Sequence, residues 1–245
     1  CDLLRQEGVS LTMMNLPNVI LIPLGYVKAA LYQLKTTANW DPKCQYASKA
    51  LTIAYNEQKY DVCDILIQEG VSLTMKNFSD VICNDDRSFE SVRKVIHHLQ
   101  DNAIWDPTCY DASTALTKAF SEETYDVCDL LIQEGVSVRM YNLPDVCGFP
   151  IQFQYIKKAI QQLTNTANWD SKCTTASKAL EIAYSKQRYN VCELLIKEGV
   201  SLAMKNLPNI ICNYEASFES VKKAVQHLKD TDIWDPKCYD ASKAL

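Results

Sequence analysis

The chain has 245 residues, a formal net charge of −5 and only six glycines. A mildly acidic balance lacks the basic footprint that nucleic-acid binding requires. The longest apolar run, Val19–Leu24, is broken by Pro23 and falls far short of the ~20 residues of a membrane helix.

The first predicted element is truncated. Cys1 to Ser10 matches the end of a segment that recurs in full as Tyr60–Ser72, Tyr125–Ser137 and Tyr189–Ser201. In Tyr125–Ser137, Val127, Leu130, Leu131 and Ile132 sit at helical spacing among Asp126, Asp129 and Gln133. That pattern is an amphipathic helix with a wide apolar stripe. Gly8, Gly70, Gly135 and Gly199 close the four copies. Glycine enters the left-handed conformation just past a helix end without a Cβ penalty, and Val136 stands where a Schellman cap places its apolar contact. No neighbouring glycines exist to make a phosphate cradle.

The next apolar face is Leu24, Val27, Ala30, Leu31 and Leu34. It recurs from Phe89 to Leu99, from Phe153 to Leu163 and from Phe218 to Leu228, with Lys157, Lys158, Gln161 and Gln162 on a solvated side. Trp40, Trp105, Trp169 and Trp234 follow at separations of 65, 64 and 65. A tryptophan at every period points to packing between units. After Trp105 and the Asp106-Pro107 turn, a helix is expected through Ala112, Ala115, Leu116, Ala119 and Phe120, with Asp111 as its cap. Ser121 to Thr124 read as a polar break. Asn142-Leu143-Pro144-Asp145-Val146-Cys147 reads as a turn into a short helix with Pro144 in its first turn, and Gly148-Phe149-Pro150 as a loop.

No segment shows the alternation of a strand, so the fold class is all-α. Helix pairs of this size cannot bury their own faces and must stack on neighbours. One repeat array is expected, in units 1–39, 40–104, 105–168, 169–233 and 234–245. Cys1 aligns with mid-helix Cys63, and the chain stops within another helix at Ala241–Leu245. It therefore reads as a piece of a longer array.

The eleven cysteines are periodic and form no C-x-x-C pair. Cys44, Cys109, Cys173 and Cys238 follow the Trp-Asp pairs; Cys1, Cys63, Cys128 and Cys192 lie in the opening helix; Cys83, Cys147 and Cys212 come later in each period. They read as small buried apolar residues in a reducing compartment such as the cytoplasm. A disulfide ladder in an extracellular array is the alternative. No metal site or cofactor is expected. His97, His98 and His227 read as exposed or half-buried helix residues, with His98 and His227 in different registers, and Asp85-Asp86 as a solvated loop pair. No group of residues reads as a catalytic site.

The run Asp111-Ala112-Ser113-Thr114-Ala115-Leu116-Thr117, then Ala119, Val127-Cys128 and Leu131–Val136, resembles the ankyrin repeat. The match extends through 50–71 and 179–200, and is loose in the other half of each period. Two departures stand out. Ala47, Ala112 and Ala176 replace the turn glycine, and Gln58, Glu123 and Gln187 replace the glycine between helices. The resemblance implies an α-solenoid of about seven and a half helix pairs with β-hairpin fingers short or absent, and protein recognition on the concave face rather than catalysis. Positions that vary between units on the first helix are Thr52, Thr117 and Glu181, and Ile53, Lys118 and Ile182. These and Glu122 are the candidate partner-binding residues. The partner is another protein, with no nucleic acid and no membrane. The alternative is further copies of the chain, in a self-assembling filament or spacer.

Overall fold

Among the described residues the apolar stripes fall on helices, and neighbouring helices cover most of each stripe, although Phe89, Phe153 and Phe218 at the starts of three helices are exposed. The structure, a computed structural model, describes residues 11–82, 84 and 88–243. The truncated copy at Cys1–Ser10 with Gly8, Cys83, the Asp85-Asp86 pair, and Ala244 and Leu245 lie outside the described residues. The described residues are all-α and contain no strand. The chain divides into two compact units, Cys1–Ala115 and Leu116–Leu245.

In the first unit a 3₁₀ turn at Met13–Asn15 leads into α1 (Leu16–Val19) and α2 (Leu24–Thr36). Then come α3 (Gln45–Asn56), α4 (Tyr60–Gln68), α5 (Met75–Ile82) and α6 (Phe89–Asp101). Helix α7 (Tyr110–Ser121) begins in this unit and ends in the next. The odd-numbered helices are the first members of successive pairs: α1 packs on α3 and α3 on α5, while α2 packs on α4 behind them. Helix α6 closes on α3 and α5. Lys59 Nζ donates to the carbonyls of Ile20 at 3.0 Å and Leu21 at 2.7 Å. A cation thus meets the free carbonyls at the end of α1, the negative end of its dipole.

The second unit repeats the scheme. It holds the rest of α7, α8 (Tyr125–Gln133), a 3₁₀ turn at Met140–Asn142, α9 (Leu143–Gly148) and α10 (Phe153–Thr164). It continues with α11 (Thr174–Ser185), α12 (Tyr189–Lys197), a 3₁₀ turn at Met204–Asn206 and α13 (Leu207–Ile211). Helices α14 (Phe218–Asp230) and α15 (Tyr239–Lys243) end it. Helix α9 packs on α11, α11 on α13 and α13 on α15, with α10 on α12 behind. Leu163, Leu180 and Leu195 are fully buried, as Leu34, Leu51 and Leu66 are in the first unit.

The caps follow from the sequence. Gly70, Gly135 and Gly199 have φ of 86°, 83° and 84°. Val136 N donates to Leu131 O at 2.9 Å and Gly135 N to Ile132 O at 3.1 Å, which is the Schellman pair of bonds. Gln58, Glu123 and Gln187 hold φ of 55°, 57° and 58°, so the chain makes the left-handed turn there without glycine.

Several expectations are corrected. Asp111 does not cap α7: it lies in the first turn, and Cys109 Sγ accepts from Ala112 N at 3.4 Å. Cys173 Sγ does the same with Ala176 N at 3.3 Å. The helix starts two residues earlier than the aspartate suggests, so the thiol occupies the capping position. Gly148 is the last residue of α9 rather than loop. His98 and His227 are buried, at 7% and 9% exposure, and they share one register. Both lie 25 residues beyond a leucine whose amide donates to the ring.

That shared register belongs to a longer repeat. Trp40 to Trp169 and Trp105 to Trp234 each span 129 residues. Ser88–Asp101 matches Ser217–Asp230 at nine of fourteen positions but matches 152–165 at only four. In this helix alternate periods are therefore more alike than adjacent ones.

Candidate partner-binding groove

In the second unit the first helices α9, α11 and α13 stand side by side. Small residues bring them close: a Cβ on Gly148 would lie 3.2 Å from Ile182 Cγ2. An asparagine at or near the start of each short first helix ties its own entry. Asn206 Oδ1 accepts from Ala203 N at 2.8 Å, and Asn142 Oδ1 from Arg139 N at 3.4 Å. Asn15 and Asn77 do the same in the first unit.

Glu181, on α11, is only 3% exposed. Its Oε1 pairs with Lys178 Nζ. Its Oε2 accepts from Asn206 Nδ2 at 2.7 Å and from Asn209 Nδ2 at 3.3 Å. Ser177 Oγ donates to Asn206 Oδ1 at 2.7 Å. A buried carboxylate is tolerable only when it is paired and its oxygens are hydrogen-bonded, and here both conditions hold. The network joins α11 to α13 with side chains alone.

Above this network lies a groove of about 610 Å³. Asp145 and Gly148 line it from α9, Ile182 from α11 and Lys186 from the position that caps that helix, and Asn209 and Tyr214 from α13 and the turn after it. Tyr214 is 93% exposed. Lys186 pairs with Glu215, and Gln187 Nε2 donates to Glu215 O at 2.8 Å. The Lys186 ammonium holds the Glu215 carboxyl below the usual carboxylate range. The lip is thus polar and the floor mixed, as binding clefts commonly are.

The candidate residues separate by exposure. Thr52, Thr117 and Glu181 are buried, whereas Ile53, Lys118, Glu122 and Ile182 are half-buried. Glu181 and Ile182 line the groove together. Lys118 Nζ and Glu122 Oε1 lie 2.6 Å apart at the end of α7. In the first unit Thr52 Oγ1 turns back to Ser48 O at 2.9 Å. Lys178, Asn206 and Asn209 were missed by the sequence reading. A signal for them exists: the residue 28 positions after the variable site is Asp80 or Asp145 where the site is threonine, and Asn209 where it is Glu181.

A second cavity, about 260 Å³, lies in the first unit and is lined by Tyr55, Tyr60, Cys63, Asp64, Lys94 and His97. Burial pushes the Cys63 thiol up to about 12, and Cys147 and Cys192 likewise. A thiol that keeps its proton is a poor nucleophile. Cys63, Cys147 and Cys192 are in no disulfide. Among the described residues no cluster of His, Cys, Asp and Glu could hold a metal ion, and no helix is long and apolar enough to cross a membrane.

Comparison with models of protein families, with curated proteins and with solved structures finds no match to this chain.

Proposed function

We propose that the chain is a protein-recognition scaffold, an ankyrin-like α-solenoid that takes a partner on the face of its first helices. The observation that carries this reading is the groove between α9, α11 and α13, floored by the buried Glu181 network and by Ile182. A rigid floor built on helices places side chains with little entropy left to lose on binding. Neither the buried thiols nor the tied-up Glu181 offers a nucleophile or a free base. The groove fits an extended segment of another protein, which Ile182 would meet with apolar contact and Tyr214 with ring and hydroxyl.

A displayed random-peptide library selected on the chain tests this. Enriched peptides are expected to lose binding by tenfold or more, about the weight of one central contact, when Ile182 is changed to Arg. They should keep it when Lys157, exposed on α10, is changed to Glu. Peptides that bind Ile182→Arg unchanged would remove the groove from consideration.

The close similarity of successive repeats supports a second reading, self-assembly into a filament or spacer, because uniform repeats suit uniform mechanics. Light scattering over a concentration series separates the two. A mass that stays monomeric with polar caps at both ends sinks the assembly reading.

A further inference from the structure

We propose that His98 and His227 are a pair of acid-sensitive pins, each holding the link from a second helix to the next first helix, and that the second pin governs the groove floor. In the first unit the Leu73 amide donates to His98 Nε2 at 3.3 Å. In the second the Leu202 amide donates to His227 Nε2 at 3.3 Å. Leu73 and Leu202 are 0% and 1% exposed, so water offers these amides no substitute. An imidazole nitrogen accepts only when it carries no proton, so the Nε2 contact puts the proton of each neutral ring on Nδ1; at His98 that nitrogen lies 3.4 Å from Asn102 Nδ2, whose amide donates to the His98 carbonyl. A second proton would turn Nε2 into a donor facing a donor.

The charged and titratable surroundings do not rescue the protonated ring. Around His98 stand Tyr55 from α3, Tyr60, Cys63 and Asp64 from α4, and Lys94, His97 and Asp101 from α6 itself. Beside His227 the Tyr184 ring of α11 lies 6.4 Å away, with Cys192 of α12 next to that tyrosine and Asp230 on α14. Asp101 and Asp230 favour the charged imidazolium, but burial outweighs them and holds both rings below the ordinary histidine value. A histidine lowered in the folded state contributes stability above the unfolded value of ~6.5. That contribution is lost as pH falls through the folded value.

The second pin reaches the groove in one step along the chain. Ala203, next to Leu202, donates to Asn206 Oδ1 at 2.8 Å, and Asn206 Nδ2 holds Glu181. Freeing Leu202 therefore loosens the turn that positions Asn206. In the intervening periods the same register carries Gln33 and Gln162, which do not titrate. Gln162 Oε1 is buried and makes no hydrogen bond among the described residues. The pins do not depend on the groove binding anything.

Amide exchange and histidine ring ¹⁵N shifts, followed by NMR from pH about 7.5 to about 5, test the proposal on the whole chain. Near pH 7.5 both rings should show the Nδ1–H form. As pH falls from the open-state value of ~6.5 to the lower folded value, protection of Leu73 and Leu202, corrected for intrinsic exchange, should fall by up to about tenfold per pH unit, the slope of one proton, and level off below it. Ala203 should follow Leu202. His227→Gln should abolish the fall at Leu202 and Ala203 and leave it at Leu73; His98→Gln should do the reverse. An Nε2–H ring near neutrality, or a fall at Leu202 that persists in His227→Gln, overturns it. Should a variant fail to fold, the ring form and its titration in the unsubstituted chain decide alone.

Discussion

Helix α3 in the first unit and helix α11 in the second are built on one pattern, Ala-Ser-Lys-Ala-Leu-x-Ile-Ala-Tyr, yet they treat the position x differently. Thr52 satisfies itself on its own helix, donating to Ser48 O. Glu181 reaches across to α13 and is held by Lys178, Asn206 and Asn209. The first unit already carries most of the second one's apparatus, since Lys49 and Asn77 stand where Lys178 and Asn206 do. It differs in Asp80, which stands where Asn209 does. A buried carboxylate can be added to this scaffold when a neighbouring carboxylate is removed. The two units thus share a fold and differ in a floor.

The sharpest way to break the contrast is to move the floor. Thr52→Glu alone should cost about 3 kcal/mol, because a buried charge then faces Asp80. Adding Asp80→Asn should recover most of that, a coupling that a double-mutant cycle in urea reads directly. Next in size is the reverse change. Asn209→Asp sets a second carboxylate against Glu181 and should destabilise by about 2 kcal/mol at pH 7. One of the two carboxyls then titrates above its ordinary range in the folded state. The deficit should therefore shrink as pH falls through that raised value and be largest at neutral pH, whereas the unsubstituted chain loses stability on acidification through its histidines. A stability difference between the two chains that narrows as pH falls is the expected result.

A smaller effect probes what the units have in common. Gln58, Glu123 and Gln187 all sit at positive φ without glycine. A side chain in that conformation costs about 1 kcal/mol or a little more, partly offset by the lower unfolded entropy of a non-glycine residue. Glu123→Gly should change stability by less than about 1 kcal/mol, and Glu123→Val, β-branched at positive φ, should lower it by more than that. Thermal midpoints of the two variants give the comparison.

The helices were legible in the sequence because each carries a stripe of the right period and ends on a recognisable residue: Gly135 past α8, Pro144 in α9, the face from Phe153 to Leu163 in α10. The cap of α7 was not, because Asp111 is the stronger capper by residue type and only backbone geometry shows that Cys109 holds the position. The register of His98 and His227 was hidden by reading each period against its neighbour, where the same place holds glutamine. Compared at 129 residues it is plain in the letters alone. The groove is intermediate. The variable column containing Glu181 and Ile182 marks its floor, but burial of Glu181 depends on Asn206 and Asn209, and a contact between side chains 25 and 28 residues apart needs the packing of α13 on α11 to exist.

The smallest expected effect on stability falls at Lys118 and Glu122. Their contact at 2.6 Å is an i,i+4 pair in which the lysine is half-exposed and the glutamate oxygens are covered; removing both partners leaves no charge unpaired, so the net cost is about 0.5 kcal/mol. Replacing both with Ala should therefore leave the urea midpoint nearly unchanged and leave helicity intact. Binding is a different quantity. A charged pair at the end of a first helix steers and orients a partner even when it adds little to the fold, so peptides selected on the chain should bind the double variant more weakly and with less salt dependence. Equal affinity in both chains would confine recognition to the groove around Ile182, where the floor that distinguishes the two units lies, and would leave the end of α7 as solvated surface.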